Sequence, residues 1–164
     1  IDISRAATGY QLHMEDIGVL AYVEQLQGQI DALCQTKKIG LQMELEHLPD
    51  VLSADKLLLE RAIMNVINNA LDYSPQGSFI HISIIGGKQH LQIAVTDTGP
   101  GFSQEDLLHA EEQFYMADHS RSSNLHFGMG LFITKSIVQQ HGGKLNLSNS
   151  EKTGGAQVTI SIPY

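Results

Sequence analysis

Cysteine is almost missing from these 164 residues. Cys34 stands alone, so no internal disulfide framework exists, a reducing compartment suits the chain, and the thiol reads as a small core residue. Basic residues are scarce as well. Ten Lys and Arg face 18 Asp and Glu, a formal net charge of -8. With no basic excess to release counterions, a nucleic-acid or anionic-membrane surface is excluded. Charged residues make up only 17 %, against ~25 % in ordinary soluble domains. No apolar run approaches the ~20 residues of a membrane span. Repeats and low-complexity stretches are missing too. Ile1 begins abruptly, without Met or a basic segment, and reads as a boundary inside something longer rather than a signal peptide.

What is present is enough for one domain with a real core, since 42 % of residues are hydrophobic. The charge is uneven: residues 1–72 carry 11 acids and five bases, whereas four bases and one acid follow from Arg121 onward. If the domain handles a phosphate, that rear part is where to look. Apolar spacing at Ile17, Leu20, Val23, Ile30 and Leu33 predicts an amphipathic helix over 17–37, stopped by Gly40. Leu41, Met43 and Leu45 alternate with polar residues as a half-buried strand. Ser53 or Asp55 caps a helix reaching Asp72, and Ser74-Pro75-Gln76-Gly77 turns the chain. Residues 79–85 and 91–96 read as a hairpin. A long segment from Asp97 to Phe127 follows, with a short helix near 104–110; long connections in compact domains are usually functional. A helix over 131–140, closed by Gly142-Gly143, and strands at 144–147 and 157–162 complete an α+β sandwich with helices on one face of a mixed sheet.

Four short patterns could carry chemistry. On the helix ending at Asp72, Leu59, Ile63, Val66 and Ala70 form the core stripe, while Asn65, Asn69 and Asp72 cluster elsewhere on the circumference. Asn is a mediocre helix former, and two on one face suggest a use: an amide oxygen is a hard ligand suited to Mg²⁺. The plain alternative is an exposed polar face. In Asp97-Thr98-Gly99-Pro100-Gly101, Asp97 shares the strand face of Leu91, Ile93 and Val95. A carboxylate is therefore placed on the apolar side, where burial is costly unless a donor is supplied. A ligand amino group could be that donor; an Asp-initiated turn is the alternative. Gly128-Met129-Gly130-Leu131 opens a helix whose free N–H groups suit a phosphate. It is neither a Walker loop nor a dinucleotide fingerprint. Gly154-Gly155-Ala156 alone is a hairpin turn.

In this order, with Gln113-Phe114-Tyr115 between the second and third, the patterns resemble the boxes of the GHKL ATP-binding superfamily, and Gly154-Gly155-Ala156 resembles its closing glycine turn. Asn65-Val66-Ile67-Asn68-Asn69-Ala70 resembles its N box, Asp97 to Gly101 its first glycine box, Gln113-Phe114-Tyr115 its F box, and Gly128 to Leu131 its second glycine box. The run from Phe132 to His141-Gly142-Gly143 continues as in sensor histidine kinases, and Ile1 to Arg5 resembles the end of their dimerisation hairpin. The resemblance implies a Bergerat fold, with a mixed sheet under three helices and an ATP lid over about 103–127. Residues 1–14 would be the end of the hairpin helix and its linker, and 15–164 the catalytic domain. ATP and Mg²⁺ would be the cofactors. Asn69 would bind Mg²⁺ with Asn65 as companion; Asp97 would accept from the adenine amino group, with Gly99 and Gly101 admitting the base and Tyr73 packing on it. Phe114 would anchor the lid, Arg121 would reach the γ-phosphate, and Gly128, Gly130 and Leu131 would meet the phosphates. Asn65 and Arg121 would assist transfer of the γ-phosphoryl group to a histidine. None of the eight histidines has an acceptor context; His141 sits at a helix C-terminus, where His suits the dipole.

The resemblance also implies partners: the protein's own hairpin in a homodimer and a cognate response regulator, with no nucleic acid. The chain alone would be a monomer, the cytoplasmic domain of a membrane-anchored sensor. Three departures stand out. Asp72 replaces a usual basic residue, Met116 follows Phe114-Tyr115 where Arg is usual, and Leu125-His126-Phe127 stand where a glycine pair is usual. Two readings compete within the superfamily. A hydrolytic ATPase of the gyrase, Hsp90 or MutL kind usually carries Glu where Asn65 stands, and an amide cannot serve as general base. A serine kinase of the anti-sigma type is opposed by the hairpin-like start. A non-catalytic nucleotide-sensing module is the third alternative.

Overall fold

The computed structural model describes residues 11–109 and 129–164. In chain order the elements are β1 (Glu15–Gly18), α1 (Val19–Lys37), β2 (Gly40–Glu46), β3 (Val51–Ala54), α2 (Lys56–Tyr73), β4 (Phe79–Gly86), β5 (His90–Thr96), α3 (Gln104–His109), α4 (Met129–Gln140), β6 (Lys144–Asn149) and β7 (Ala156–Pro163). Five strands form a mixed sheet in the order β2-β4-β5-β7-β6, with β2 parallel to β4 and the other neighbours antiparallel.

Strict alternation makes the sheet one-sided. Ile80, Ile82 and Ile84 of β4, Leu91, Ile93 and Val95 of β5, and Val158, Ile160 and Ile162 of β7 are all buried. Because side chains alternate along a strand, their neighbours point to the opposite, wetter face. On the buried face lie Tyr22, Val23, Leu26 and Ile30 of α1, Leu59, Ile63, Val66 and Ala70 of α2, and Leu131, Phe132 and Val138 of α4. The two-layer α+β sandwich with three helices on one face is therefore the observed architecture. A second cluster of Ala62, Ile133 and Ile137 binds α2 to α4.

Three local expectations are corrected. Ile17 belongs to a strand, because β1 pairs antiparallel with β3, setting Ile17 against Leu52; the pairing is non-local and invisible to periodicity. The helix starts at Val19, and Leu20 is 58 % exposed instead of lying in the core. Its end is set by Lys38, which adopts a left-handed conformation (φ 58°) and donates its N–H to helix carbonyls, so Gly40 is free to begin β2. Cys34 is buried, as expected, and burial with nearby Asp31 raises its thiol pKa.

The start of α2 is a junction. Asp55 is the N-cap, its Oδ1 accepting from Leu58 N–H at 3.1 Å while Oδ2 accepts from His13 N–H at 2.9 Å. The Asp55 N–H in turn donates to His141 Nε2 at 3.0 Å, and His141 Nδ1 lies 2.9 Å from the Ile137 carbonyl. A ring that accepts through Nε2 and donates through Nδ1 is a neutral tautomer. His141 thus bridges α4 and α2 through its two ring nitrogens. His141→Ala strands a buried donor and should cost about 1–3 kcal/mol in urea unfolding.

Tyr22 reports on the same layer. Its hydroxyl donates to the Lys56 carbonyl at 3.4 Å, and burial, reinforced by the Glu60 charge, holds its pKa far above the ordinary value. The folded chain therefore keeps a proton that the unfolded chain releases. This contribution is fully present below about pH 10 and is lost as pH rises beyond it. Tyr22→Phe should flatten the alkaline fall in stability, measured as urea midpoints across that range.

Candidate nucleotide site

Helix α2 is the wall to which the other segments attach. At its C-terminus, a Cβ on Gly99 would come within 2.5 Å of the Tyr73 carbonyl oxygen, so only glycine lets the loop after β5 lie so close. The buried Ser74 hydroxyl accepts from Thr98 N–H at 3.4 Å beside it. One turn earlier stands Asn69, and one turn before that Asn65, whose Nδ2 donates to the Gly130 carbonyl at 3.4 Å. Gly130 packs against the Asn65 side chain, and Thr134 Oγ1 donates to the Ala62 carbonyl at 3.1 Å. The N-terminus of α4, whose first N–H groups have no acceptor within the helix and whose dipole end is positive, is therefore fixed beside the amide-bearing stretch of α2. Leu131 is buried in the core, so what it can offer a phosphate is its backbone N–H.

Asp97 lies on the apolar side of β5, as strand parity requires, and is 1 % exposed. Donors come from two places: its Oδ1 accepts from Gly99 N–H at 3.0 Å and from Ala156 N–H at 2.9 Å. Backbone groups thus offset much of the burial cost that the sequence left to a ligand. The Asp97 backbone is held too, donating to the Ala156 carbonyl at 2.9 Å and accepting from Thr153 Oγ1 at 2.9 Å. Gly155 makes this possible, because a Cβ there would sit 2.0 Å from the Asp97 carbonyl oxygen. The closing glycine turn is therefore part of the site. Tyr73 is half-buried; burial first, then the Asp72 and Asp106 charges, raise its phenol pKa, keeping the ring a neutral surface for stacking.

Asp72 parts company with Asn65 and Asn69. Its carboxylate turns toward α1 and pairs with Lys37 Nζ at 2.8 Å, both side chains well exposed. The base that compensates its charge is thus Lys37 of the neighbouring helix. Two residues were missed from sequence. Asn149 bonds both backbone groups of Phe102, and Asp106 is a buried carboxylate whose Oδ2 accepts from Ser103 N–H at 3.4 Å while Ser103 Oγ accepts from Asp106 N–H at 3.0 Å. Ser103-x-x-Asp106 is a readable capping pattern, but nothing local announces the partner of Asn149. Phe114, Arg121 and Gly128, most of the expected lid, and the stretch from Ile1 to Arg5 lie outside the described residues.

No group of three or more His, Cys, Asp and Glu that could hold a metal occurs among the described residues. A cation here would rely on the amide oxygens of Asn69 and Asn65, with phosphate oxygens and water completing its shell. That donor set fits Mg²⁺ brought in with a polyphosphate and does not fit a resident structural metal.

Comparison with known proteins agrees with this geometry. Residues 54–164 match the family described as histidine kinase-, DNA gyrase B- and HSP90-like ATPase. Sensor histidine kinase SpaK of Bacillus subtilis is 37 % identical over 163 residues, covering 99 % of this chain and 35 % of SpaK, so the chain spans about a third of that relative. Histidine kinase AdeS of Acinetobacter baumannii superposes with a TM-score of 0.73 at 22 % identity, covering 98 % of this chain and 73 % of that one. Full-length ShkA in complex with AMPPNP gives a TM-score of 0.77 at 20 % identity, over 98 % of this chain and 33 % of that one. At such identities the two superpositions speak for the fold alone.

Replacing Gly155 by Ala forces the closing turn off Asp97. Gly155→Ala should lower stability by about 1–3 kcal/mol in urea unfolding and weaken nucleotide binding with it.

Proposed function

The chain belongs to the histidine kinase-, DNA gyrase B- and HSP90-like ATPases, as an ATP-binding catalytic domain of the sensor histidine kinase kind, and we propose that it binds MgATP beside α2 and passes the γ-phosphoryl group to a histidine in a longer protein. The observation that carries this reading is the contact of one helix with both glycine segments: Tyr73 against Gly99 and Asn65 against Gly130. A base and a triphosphate can then be gripped by one rigid element.

In this reading Asp97 accepts from the adenine amino group, Gly99 and Gly101 admit the base, and Tyr73 stacks on it. The N–H groups at the start of α4, with Gly128, Gly130 and Leu131, receive phosphate oxygens. Asn69, with Asn65, holds Mg²⁺, which when bound neutralises charge on the phosphates. Phe114 and Arg121 belong to the lid over 103–127, Arg121 serving the γ-phosphate. Transfer breaks the bond between the γ-phosphorus and its bridging oxygen and forms one to an imidazole nitrogen. ADP leaves, and the residues act by positioning and charge neutralisation. The acceptor lies on a dimerisation hairpin joined through the linker of residues 1–14, within a homodimer that passes the phosphoryl group to a response regulator. No helix among the described residues is long and apolar enough to cross a membrane; anchoring and a cytoplasmic location for this domain are properties of the longer protein in this proposal.

Hydrolysis is the weaker reading. Asn65 has no basic function, and its amide nitrogen is engaged by the Gly130 carbonyl.

In calorimetry Asn69→Ala should weaken MgATP on the order of a hundredfold or more, and unchanged affinity would remove the assignment. The wild-type chain should not label itself with radioactive ATP, whereas the hairpin added in trans should acquire acid-labile phosphohistidine. Binding without any transfer would favour a nucleotide-sensing module.

A further inference from the structure

We propose that Asn149 is a positioning residue for nucleotide binding, fixing the far end of the adenine-side loop by taking the place of a strand neighbour. The proposal rests on the nucleotide reading above. Asn149 is the last residue of β6, paired with Ala156 across the β6–β7 ladder. Its Oδ1 accepts from Phe102 N–H at 2.7 Å, and its Nδ2 donates to the Phe102 carbonyl at 2.9 Å. In an antiparallel sheet, two residues of a hydrogen-bonded pair exchange this same couple of bonds. Here one flat side-chain amide supplies both, so the Phe102 peptide groups are held in position and orientation.

The loop from Asp97 to Phe102 is thus pinned at both ends by a single hairpin. Thr153 and Ala156 hold Asp97, and Asn149 holds Phe102. Between the pins lie Gly99 and Gly101. Gly101 has φ +83°, and a Cβ on it would fall 2.6 Å from the Gly154 carbonyl oxygen and 2.9 Å from Asn149 Oδ1. The closeness of Asn149 therefore helps set the requirement for glycine there. Phe102 itself is buried, and Ser103 immediately after it caps α3. Asn149 needs no contact with the nucleotide to matter.

Only an amide provides a donor and an acceptor at one planar end. Aspartate keeps the acceptor for Phe102 N–H but turns a negative oxygen, with no hydrogen, toward the Phe102 carbonyl. Without the clamp, residues 99–102 sample several arrangements, and the competent one must be selected when nucleotide binds. Because this loop serves the base and not the γ-phosphate, ATP and ADP should lose affinity alike.

The test compares wild type, Asn149→Asp and Asn149→Ala, with MgATP and MgADP titrated by calorimetry and exchange of the Phe102 amide followed by NMR. Asn149 is exposed on its outer side, so the near-isosteric Asn149→Asp should fold even if Asn149→Ala does not. Expected is a rise of about tenfold in Kd for both nucleotides in equal proportion, with faster Phe102 exchange and a melting temperature close to wild type. Unchanged Kd values in Asn149→Asp, or a loss confined to ATP, would overturn the role of Asn149. A wild-type chain that binds neither nucleotide would instead overturn the nucleotide reading on which the proposal stands.

Discussion

A carboxylate buried at the end of a strand must find its donors elsewhere in the chain, and Asp97 finds them in two separate segments. Gly99 lies two residues downstream; Ala156 lies on β7, which pairs with β5 along its length. Meeting both requires the loop to fold back over its own aspartate and the β6–β7 turn to close tightly against it. The glycines follow from that geometry. Gly155 gives way to the Asp97 carbonyl, and Gly99 gives way to the Tyr73 carbonyl. A single buried carboxyl group thus ties the sheet, the closing turn and the end of α2 into one unit.

Around that unit α2 acts as the common support. Asp55 caps its N-terminus and at the same time receives the backbone of His13 and meets the His141 ring. At the other end, Tyr73 and Ser74 seat the loop after β5, while Asn65 and Ala62 hold α4. The segment around His13, the loop after β5 and α4 are therefore all seated on this one helix. A displacement of the segment around His13 would bear directly on the helix that carries Asn65 and Asn69.

Much of this was legible beforehand, and the legible parts have a common character. The alternation of Ile80, Ile82 and Ile84, the stripe of Leu59, Ile63, Val66 and Ala70, and the parity of Asp97 with Val95 are local periodicities, fixed by backbone geometry within one element. The four boxes were read from order and spacing, and family membership agrees with that reading. What escaped depends on partners distant in sequence. β1 and β3, of four residues each, exist because each pairs with the other. Asp72 shares a circumference with Asn65 and Asn69 on a helical wheel, yet Lys37 of a neighbouring helix draws it aside.

The sequence by itself determined most of the core-facing residues, the longer helices and the strands of the main sheet, and the order of the family's boxes, because a 3.6- or two-residue period is written into each segment alone. Only the tertiary structure decided where polar groups turn. It made His141 the acceptor of the Asp55 N–H, gave the Asp97 oxygen to two backbone donors, and set Asn149 across from Phe102. Apolar burial follows a local pattern and tolerates many partners, whereas a hydrogen bond needs one atom at one distance and direction. That partner is fixed only when the register of the whole chain is fixed.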